Sequence, residues 1–316
     1  MTRWLTIAIC ALFSLGAAAC GEEEKKGGGG GGGGDLKGTI AIDGSSTVQP
    51  FAQAALELFQ EENPDVRITV GGAGTGDGFE KFCRGELDIA DASRAIEDEE
   101  TAACKKAGVA PAELQVANDG IAVVSNKGLP VKCMKTEQLK ELFAPKSKVK
   151  NYSELGSGLP SKPVSLFTPG EESGTFDFFT ETVLETDKEQ RQEKVQTSPD
   201  DNVLVTGVSG ESNALGYFGF SFYDQNKDKL GLVEVDGGSG CVAPSTATIQ
   251  DGSYKPLSRP LFMYPSAKSI KKPQVKAFLD FVVKNQDKIS TAAKIVPMTS
   301  EQATKSQQAL TTAEQG

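Results

Sequence analysis

The 316-residue sequence contains no histidine. Without an imidazole, neither a Ser-His nor a Cys-His nucleophilic pair can form, and no metal site can include a histidine ligand. Most hydrolase mechanisms are therefore excluded before any motif is considered. Basic residues are also in deficit, because 33 Lys and Arg stand against 43 Asp and Glu and give a formal net charge of −10. This charge argues against nucleic acid or an anionic membrane surface as the main partner.

Long hydrophobic runs are missing except at the amino terminus. Residues 1–19 carry an early arginine and then an apolar stretch that is somewhat short of the ~20 residues of a membrane span, which predicts a secretory signal peptide. Small residues precede Cys20, as in a bacterial lipobox, although Ala17 stands where such motifs usually carry leucine. We predict that Cys20 is lipidated and that the Glu/Lys/Gly-rich residues 20–38 form a tether. The protein would then be anchored to the outer face of the cell membrane.

Four of the six cysteines lie beyond this predicted leader and its lipidation site. An even number of cysteines in an exported chain predicts two disulfides, for which three connectivities exist. None of the spacings is Cys-x-x-Cys, so a metal site or a redox motif is disfavoured. We favour one bridge that closes a short loop and one that lies within a single domain, namely Cys83–Cys104 and Cys133–Cys241.

Short apolar runs of β type alternate with helical patterns along the rest of the chain, which is typical of an α/β fold with mostly parallel strands. With 38% hydrophobic and 24% charged residues, the chain has enough material for two globular domains. The predicted strands are Thr39–Ile42, Val66–Val70, Leu87–Ala90, Ile121–Val124, Val164–Phe167, Leu215–Phe222, Leu230–Val235 and Leu261–Tyr264. The clearest helical patterns follow Phe51, Phe79, Ser173 and Gln274.

Three segments rich in glycine and hydroxyl residues, 44–47, 72–78 and 172–175, each stand immediately before a predicted helix. Any one of them alone is ordinary helix capping. Three together predict an anion site, because helix starts expose unpaired N–H groups and a partial positive charge. The glycine run lacks the Lys-Ser/Thr pair of a nucleotide-binding phosphate loop.

The residues around these segments resemble a known family. The motifs are Gly44-Ser-Ser-Thr-Val, the segment from Gly74 to Arg94 with its Asp-Ile-Ala-Asp-Ala-Ser-Arg, the run from Pro169 to Asp177 with its Ser-Gly-Thr, and Ala214-Leu-Gly-Tyr-Phe-Gly219. In matching order, they are similar to the phosphate-binding lipoproteins of bacterial phosphate-specific ABC transporters. The similarity extends from about Thr39 to the carboxyl-terminal helix.

This resemblance implies a periplasmic-binding-protein fold with two α/β lobes, joined by crossover strands, that close over one phosphate. Lobe I would comprise residues 39–120 and 243–316, and lobe II residues 121–242. It further implies a monomeric binding protein that is not an enzyme, needs no cofactor, and delivers phosphate to the permease and ATPase of an importer.

Carried over position by position, the resemblance implies a set of phosphate ligands. Ser93 falls where some members of the family carry an acidic ligand. Many members carry an arginine at the position of Pro169, so we assign the cation to Arg94, whose alternative interpretation is a surface ion pair with Asp91 or Glu97. The remaining implied ligands are Ser46, Thr47, Thr75, Ser173, Gly174 and Thr175.

A protonated phosphate oxygen also needs an acceptor, which sulfate does not require. Asp77, inside the glycine turn, is the first candidate, although it could simply cap the helix; Asp91 and Asp119 are the next candidates. The sequence leaves three alternative functions open. They are a binding protein for another oxyanion such as sulfate, molybdate or tungstate, a secreted phosphatase or phosphotransferase, and a surface sensor or adhesin on the same fold.

Overall fold

The computed structural model describes residues 36–315. The predicted leader, the predicted lipidation at Cys20 and nearly all of the predicted tether lie outside the described residues. Strands and helices alternate through the described part, as the sequence patterns predict. Within it, no helix is long and apolar enough to cross a membrane.

The amino-terminal elements form a parallel sheet covered by helices. Strand β1 pairs in parallel with both β2 and β3. Ile40 and Ile42 of β1 are buried, and helix α1 buries Phe51, Ala55 and Phe59 at helical spacing. The elements are β1 (Gly38–Gly44), α1 (Gln49–Gln60), β2 (Val66–Val70), α2 (Thr75–Cys83), β3 (Ile89–Ala92) and α3 (Asp98–Lys106).

The middle of the chain begins with one long strand of 13 residues and continues as a second α/β region. Its elements are β4 (Leu114–Asn126), β5 (Cys133–Lys135), α4 (Thr136–Phe143), a 3-10 turn (Tyr152–Leu155), β6 (Ser165–Thr168), α5 (Gly174–Phe179), a π-helical turn (Thr180–Leu184), β7 (Val195–Thr197), α6 (Asp201–Gly210), β8 (Ala214–Gly219), α7 (Phe220–Gln225), β9 (Leu230–Asp236) and β10 (Cys241–Val242).

The carboxyl-terminal part returns to the first sheet. Strand β11 lies between β3 and β4 and is antiparallel to both. The elements are α8 (Thr246–Gln250), β11 (Ser258–Pro265), α9 (Ala267–Ile270), α10 (Pro273–Lys284), α11 (Gln286–Ala292) and α12 (Ser300–Gln315).

Two large hydrophobic cores result, and β4 and β11 run between them. The strand order is β2-β1-β3-β11-β4-β8-β6-β7. We call first core the cluster that includes Phe51, Leu114 and Leu261, and second core the cluster that includes Ile121, Phe179 and Tyr217. The second core also contains Ile249, Tyr254 and Leu257, which come from the range that the sequence groups with lobe I.

Several sequence predictions are confirmed, and others are wrong. The strands are not mostly parallel, because β4 pairs antiparallel with β8, β9 and β11, and β11 is also antiparallel to β3. The strand predicted at Leu87–Ala90 lies two residues later, at Ile89–Ala92. The disulfides Cys83–Cys104 and Cys133–Cys241 are both present, and they join α2 to α3 and β5 to β10. The predicted strand Leu215–Phe222 is wrong at its end, because α7 begins at Phe220 directly after Gly219. The helix predicted from Ser173 changes to a π turn at Thr180, whose hydroxyl donates to the carbonyls of Phe176 and Asp177.

Candidate anion-binding site

An open cleft of about 1050 Å³ lies between the two cores and is lined mainly by short polar and charged side chains. Such a lining suits a small hydrophilic ligand rather than an apolar one. The first-core side contributes Ser46, Thr47, Thr75, Asp77, Ser93 and Arg94; the other side contributes Asp177, Phe178, Glu181 and Lys188; Ser258 and Arg259 stand between them.

The turn after β1 presents Ser46 and Thr47 to this cleft. The N–H of Ser45 donates to the carbonyl of Asp91 at 2.8 Å, and the Ser45 hydroxyl accepts the N–H of Thr47 at 3.2 Å. Gly44 has φ +141°, and a Cβ there would collide with the Asp91 carbonyl, so only glycine allows this approach. The sequence prediction for this turn rested on the same glycine and hydroxyls.

The second predicted segment meets the Asp-Ala-Ser-Arg turn. The Thr75 hydroxyl lies 3.2 Å from the Ser93 hydroxyl and accepts the Ser93 N–H at 3.3 Å. Asp77 is exposed in the first turn of α2. Thr75 and Ser93, which are 18 residues apart in sequence, therefore present their hydroxyls together.

The third segment lies directly against the first. The Thr47 hydroxyl donates to the Gly174 carbonyl at 3.0 Å, and a Cβ on Gly174 would stand 2.6 Å from the Thr47 nitrogen. Ser173 caps α5 by accepting the N–H of Thr175. The first two predicted segments thus line the cleft, whereas Ser173, Gly174 and Thr175 lie against Thr47 and are not among the residues that line it.

Arg94 reaches the cleft but is already paired. Its two terminal nitrogens donate to the Glu100 carboxylate at 2.8 and 2.9 Å, and its Nε lies 3.3 Å from Glu97. Hydrogen bonding to Glu100 raises the pKa of Arg94, and burial opposes this effect. The ion pair with Glu97 that the sequence offers as an alternative is present beside the stronger one with Glu100.

A second arginine, Arg259, is deeper in the cleft, and sequence reasoning missed it. Its Nη2 donates to the Thr47 hydroxyl at 2.6 Å, and its guanidinium carbon lies 3.6 Å from the centre of the Phe178 ring. Its side chain is 11% exposed. Arg259 is the only arginine in the sequence after Arg191, where lysine is otherwise the basic residue. This choice of arginine is the one sequence feature that could have pointed to a special role, and it is a weak one.

Asp119 is the neighbour of Arg259 across the sheet, on β4. Its Oδ2 lies 3.5 Å from Arg259 Nε, close enough for an ion pair but long for a hydrogen bond. Burial raises the pKa of Asp119, and the charge of Arg259 opposes that rise. Because β4 and β11 both pass between the cores, this pair stands at the crossover.

Two further carboxylates differ in their surroundings, since one is buried away from any partner and the other faces the cleft. Asp91 is fully buried, and neither of its carboxyl oxygens has a hydrogen-bond partner. Burial, with the nearby charge of Asp43, raises its pKa well above the ordinary value.

Asp177, which sequence reasoning also missed, faces the cleft. Its Oδ2 accepts the Ser46 hydroxyl at 2.8 Å and lies 3.2 Å from Lys188 Nζ. Its Oδ1 is buried and has no hydrogen-bond partner.

Among residues 36–315, one group of potential metal ligands stands close together, Cys133, Glu234 and Cys241. Its two cysteines form a disulfide, so they are not free to bind a metal. The cleft itself offers hydroxyls and guanidinium groups, which are donors to anions.

Two α/β cores joined by crossover strands, with a donor-rich cleft between them, define the class of a periplasmic-type binding protein. Residues 30–286 match the family model of the PBP superfamily domain. The chain is 41% identical over 265 residues to Protein SphX of Synechococcus elongatus, covering 83% of this chain and 78% of that one. It is 38% identical over 262 residues to the phosphate-binding protein PstS of Staphylococcus epidermidis, with 82% and 78% covered.

Solved structures agree with these relatives. The crystal structure of a possible phosphate-binding protein from Planctomyces limnophilus superposes with a TM-score of 0.84 at 40% identity, and the match covers 88% of this chain and 99% of that one. The chain belongs to the PBP superfamily and, within it, to the family of the phosphate-binding proteins PstS and SphX. The resemblance drawn from the sequence motifs and the predicted fold class are both confirmed.

Proposed function

We propose that this protein binds inorganic phosphate in the cleft and acts in phosphate import. The observation that carries the proposal is the nearly buried guanidinium of Arg259, which lies beside the hydroxyl of Thr47 and has no short hydrogen bond to a carboxylate. A planar guanidinium suits the oxygens of phosphate, and the surrounding hydroxyls can complete a tetrahedral shell. The name of the PstS relative supports phosphate as the anion.

We expect the hydroxyls of Thr75 and Ser93 to donate from one side of the anion, joined by Ser46 and Thr47 through backbone N–H groups or through hydroxyls that leave Asp177 and Gly174 when phosphate binds. Closure of the lobes would bring Ser173, Gly174 and Thr175, which contact Thr47 but do not line the open cleft, to complete the shell, and Arg94 and Arg259 supply the positive charge. The contact of Thr47 with Gly174 supports this arrangement, because it joins the two sides at the site.

Binding works by closure of two lobes around the anion. The two separate cores support the predicted division into 39–120 with 243–316 and 121–242, except that the packing of Tyr254 groups the segment before β11 with the second lobe. Since both sides supply donors, phosphate binds the closed state better and shifts the population toward it.

The protein carries phosphate and does not transform it. We propose that it is exported, anchored through Cys20 at the outer face of the membrane, and monomeric. A permease with its ATPase then receives the phosphate. The chain has no histidine to activate a cleft hydroxyl, which supports binding over phosphatase chemistry.

Calorimetric titration of the purified protein tests this function. We expect one phosphate per chain, competition by arsenate, which has the same shape and protonation, and much weaker binding of sulfate and molybdate. Tighter binding of sulfate than phosphate would reject phosphate as the ligand, and turnover of a phosphate ester would support the phosphatase alternative.

Discrimination against sulfate depends on a carboxylate that accepts the phosphate proton. Asp177 meets this need, because Ser46 and Lys188 hold one carboxylate oxygen while the other is unpartnered. Asp177→Asn should lower the ratio of phosphate to sulfate affinity by about tenfold or more, since an amide nitrogen can donate where an acceptor is needed. Asp77→Asn is the comparison, because the sequence points to Asp77. Loss of discrimination in that variant alone would assign the role to Asp77.

The effect of salt separates a closed cleft from an open basic patch. The net charge of −10 repels phosphate at long range, so affinity must come from short contacts inside the cleft. Between about 20 and about 200 mM sodium chloride, we expect the phosphate dissociation constant to change by less than about twofold, because salt screens exposed charges more than buried ones. A steep loss of affinity with salt would contradict the cleft mechanism. Isothermal titration at each salt concentration measures it.

A further inference from the structure

Asp43 lies at the end of β1, outside the set of donors assigned to the anion, and connects three parts of the first lobe. Its Oδ1 accepts the N–H of Gly44 at 2.9 Å and the N–H of Ala73 at 3.1 Å. Its Oδ2 accepts Lys81 Nζ, on helix α2, at 2.6 Å. One carboxylate therefore joins the turn after β1, the glycine loop and α2.

The glycines around Asp43 show how closely these parts approach one another. A Cβ on Gly71 would collide with the Asp43 carboxylate. A Cβ on Gly78, in α2, would stand 2.6 Å from the Gly44 Cα. The chain thus has glycine at the two positions where the loop and the helix must approach the end of β1.

We propose that Asp43 is a positioning residue for the anion site, which fixes the glycine loop and the start of α2 relative to the Ser45–Thr47 turn. The proposal rests on the proposed function and deepens it. Ala73 and Thr75 line the cleft, and the Asp43 contacts set their distance from Ser46 and Thr47. Asp43 acts only through these groups.

The charge of Asp43 is compensated locally, as a carboxylate near an anion site requires. Burial alone would raise its pKa, but the hydrogen bonds from Lys81, Ala73 and Gly44 lower it below the ordinary value. The contact with Asp43 raises the pKa of Lys81. Other carboxyls face this pair, Asp91 near Asp43, and Asp77 and Glu86 near Lys81. Substitution of both partners therefore removes the contact without changing the net charge.

The same sheet supplies a matched control in Asp88, directly before β3. Asp88 accepts the N–H of Ala41 at 3.1 Å and pairs with Lys272 at 2.7 Å. This carboxylate has the same kinds of partner as Asp43, an N–H group and a lysine. It is nearly buried, with 10% of its side chain exposed, and it does not line the cleft.

The experiment compares phosphate dissociation constants and melting temperatures of purified wild type, the double variant Asp43→Ala/Lys81→Met, and the double variant Asp88→Ala/Lys272→Met. We expect the Asp43 pair variant to bind phosphate about tenfold more weakly, the effect of one misplaced charge-assisted hydrogen bond. The Asp88 pair variant should lose melting temperature to a similar degree and keep the wild-type dissociation constant within about twofold.

The single variant Asp43→Asn retains a side-chain oxygen for the Ala73 and Gly44 N–H groups, so it should recover part of the affinity. Equal dissociation constants in wild type and the Asp43 pair variant would overturn the proposal, as would equal weakening by the Asp88 pair variant. If the pair variant fails to fold, Lys81→Met, at a residue with 34% side-chain exposure, is measured in its place. A wild type that binds no phosphate would reject the proposed function itself, which the variants alone cannot do.

Discussion

Replacement of Arg259 by methionine is expected to weaken phosphate binding about a hundredfold or more. Arg259 is nearly buried, touches Thr47 and Phe178, and directs a guanidinium at the cleft. Each charge-assisted hydrogen bond contributes about 1.5–3 kcal/mol, and a guanidinium can donate two to one phosphate. Calorimetric titration measures the loss.

Arg259→Met also leaves Asp119 without its ion-pair partner, so a fall in stability must be separated from a loss of binding. Arg259→Lys keeps the charge and removes the planar fork, and we expect it to bind phosphate about tenfold more weakly than wild type. Arg84→Gln is the control, because Arg84 pairs with Glu80 and Glu86 on the exposed surface. Wild-type affinity in a folded Arg259→Lys and in Arg259→Met would remove Arg259 from the site.

Substitution of Asp91 by asparagine is expected to stabilise the protein. Asp91 is fully buried, neither of its oxygens has a hydrogen-bond partner, and its pKa is raised by burial and by Asp43. Because the unfolded chain ionises Asp91 near pH 4 and burial disfavours the ionised form in the folded protein, the folded state loses stability as pH rises above about 4, by up to about 1.4 kcal/mol per pH unit. Asparagine has the same shape without this cost, so we expect a gain of about 1–3 kcal/mol in the free energy of unfolding at pH 7.

The raised pKa of Asp91 also determines how the stability gained by Asp91→Asn changes with pH. The unfolded chain releases the Asp91 proton near pH 4, whereas the folded protein holds it to a higher pH. The contribution of Asp91 to stability is thus most favourable below the unfolded pKa and is lost as pH rises toward the folded pKa. The gain from Asp91→Asn should be small near pH 4 and grow toward pH 7, as urea unfolding at each pH would show. A variant less stable than wild type at pH 7 would contradict the account.

The sequence predicted those features that depend on local pattern. Strand alternation and helical spacing gave the α/β class, and glycine with hydroxyl residues before a helix marked three segments, of which two line the cleft and the third contacts Thr47. The two disulfides followed from the even cysteine count together with the choice of loops. Each of these inferences depends only on residues that are close together in sequence, or on the length of the one loop that a disulfide closes.

Features that depend on distant contacts were missed. Arg259 reaches Thr47 across 212 residues, and Ser46 reaches Asp177 across 131 residues. No local pattern distinguishes an arginine at the start of a strand, or an aspartate in the first turn of a helix, from a surface residue. The helix that begins at Phe220 was not predicted, because the aromatic residues at its start are equally common in strands.

Diffraction from crystals grown with arsenate tests the central claim most directly, because arsenic is located by its anomalous scattering. We predict one arsenic peak per chain, in the cleft between the cores, with oxygens within hydrogen-bond distance of the Arg259 guanidinium and the Thr47 hydroxyl. A cleft without a peak in crystals of a protein that binds arsenate in solution, or a peak elsewhere on the surface, would contradict it.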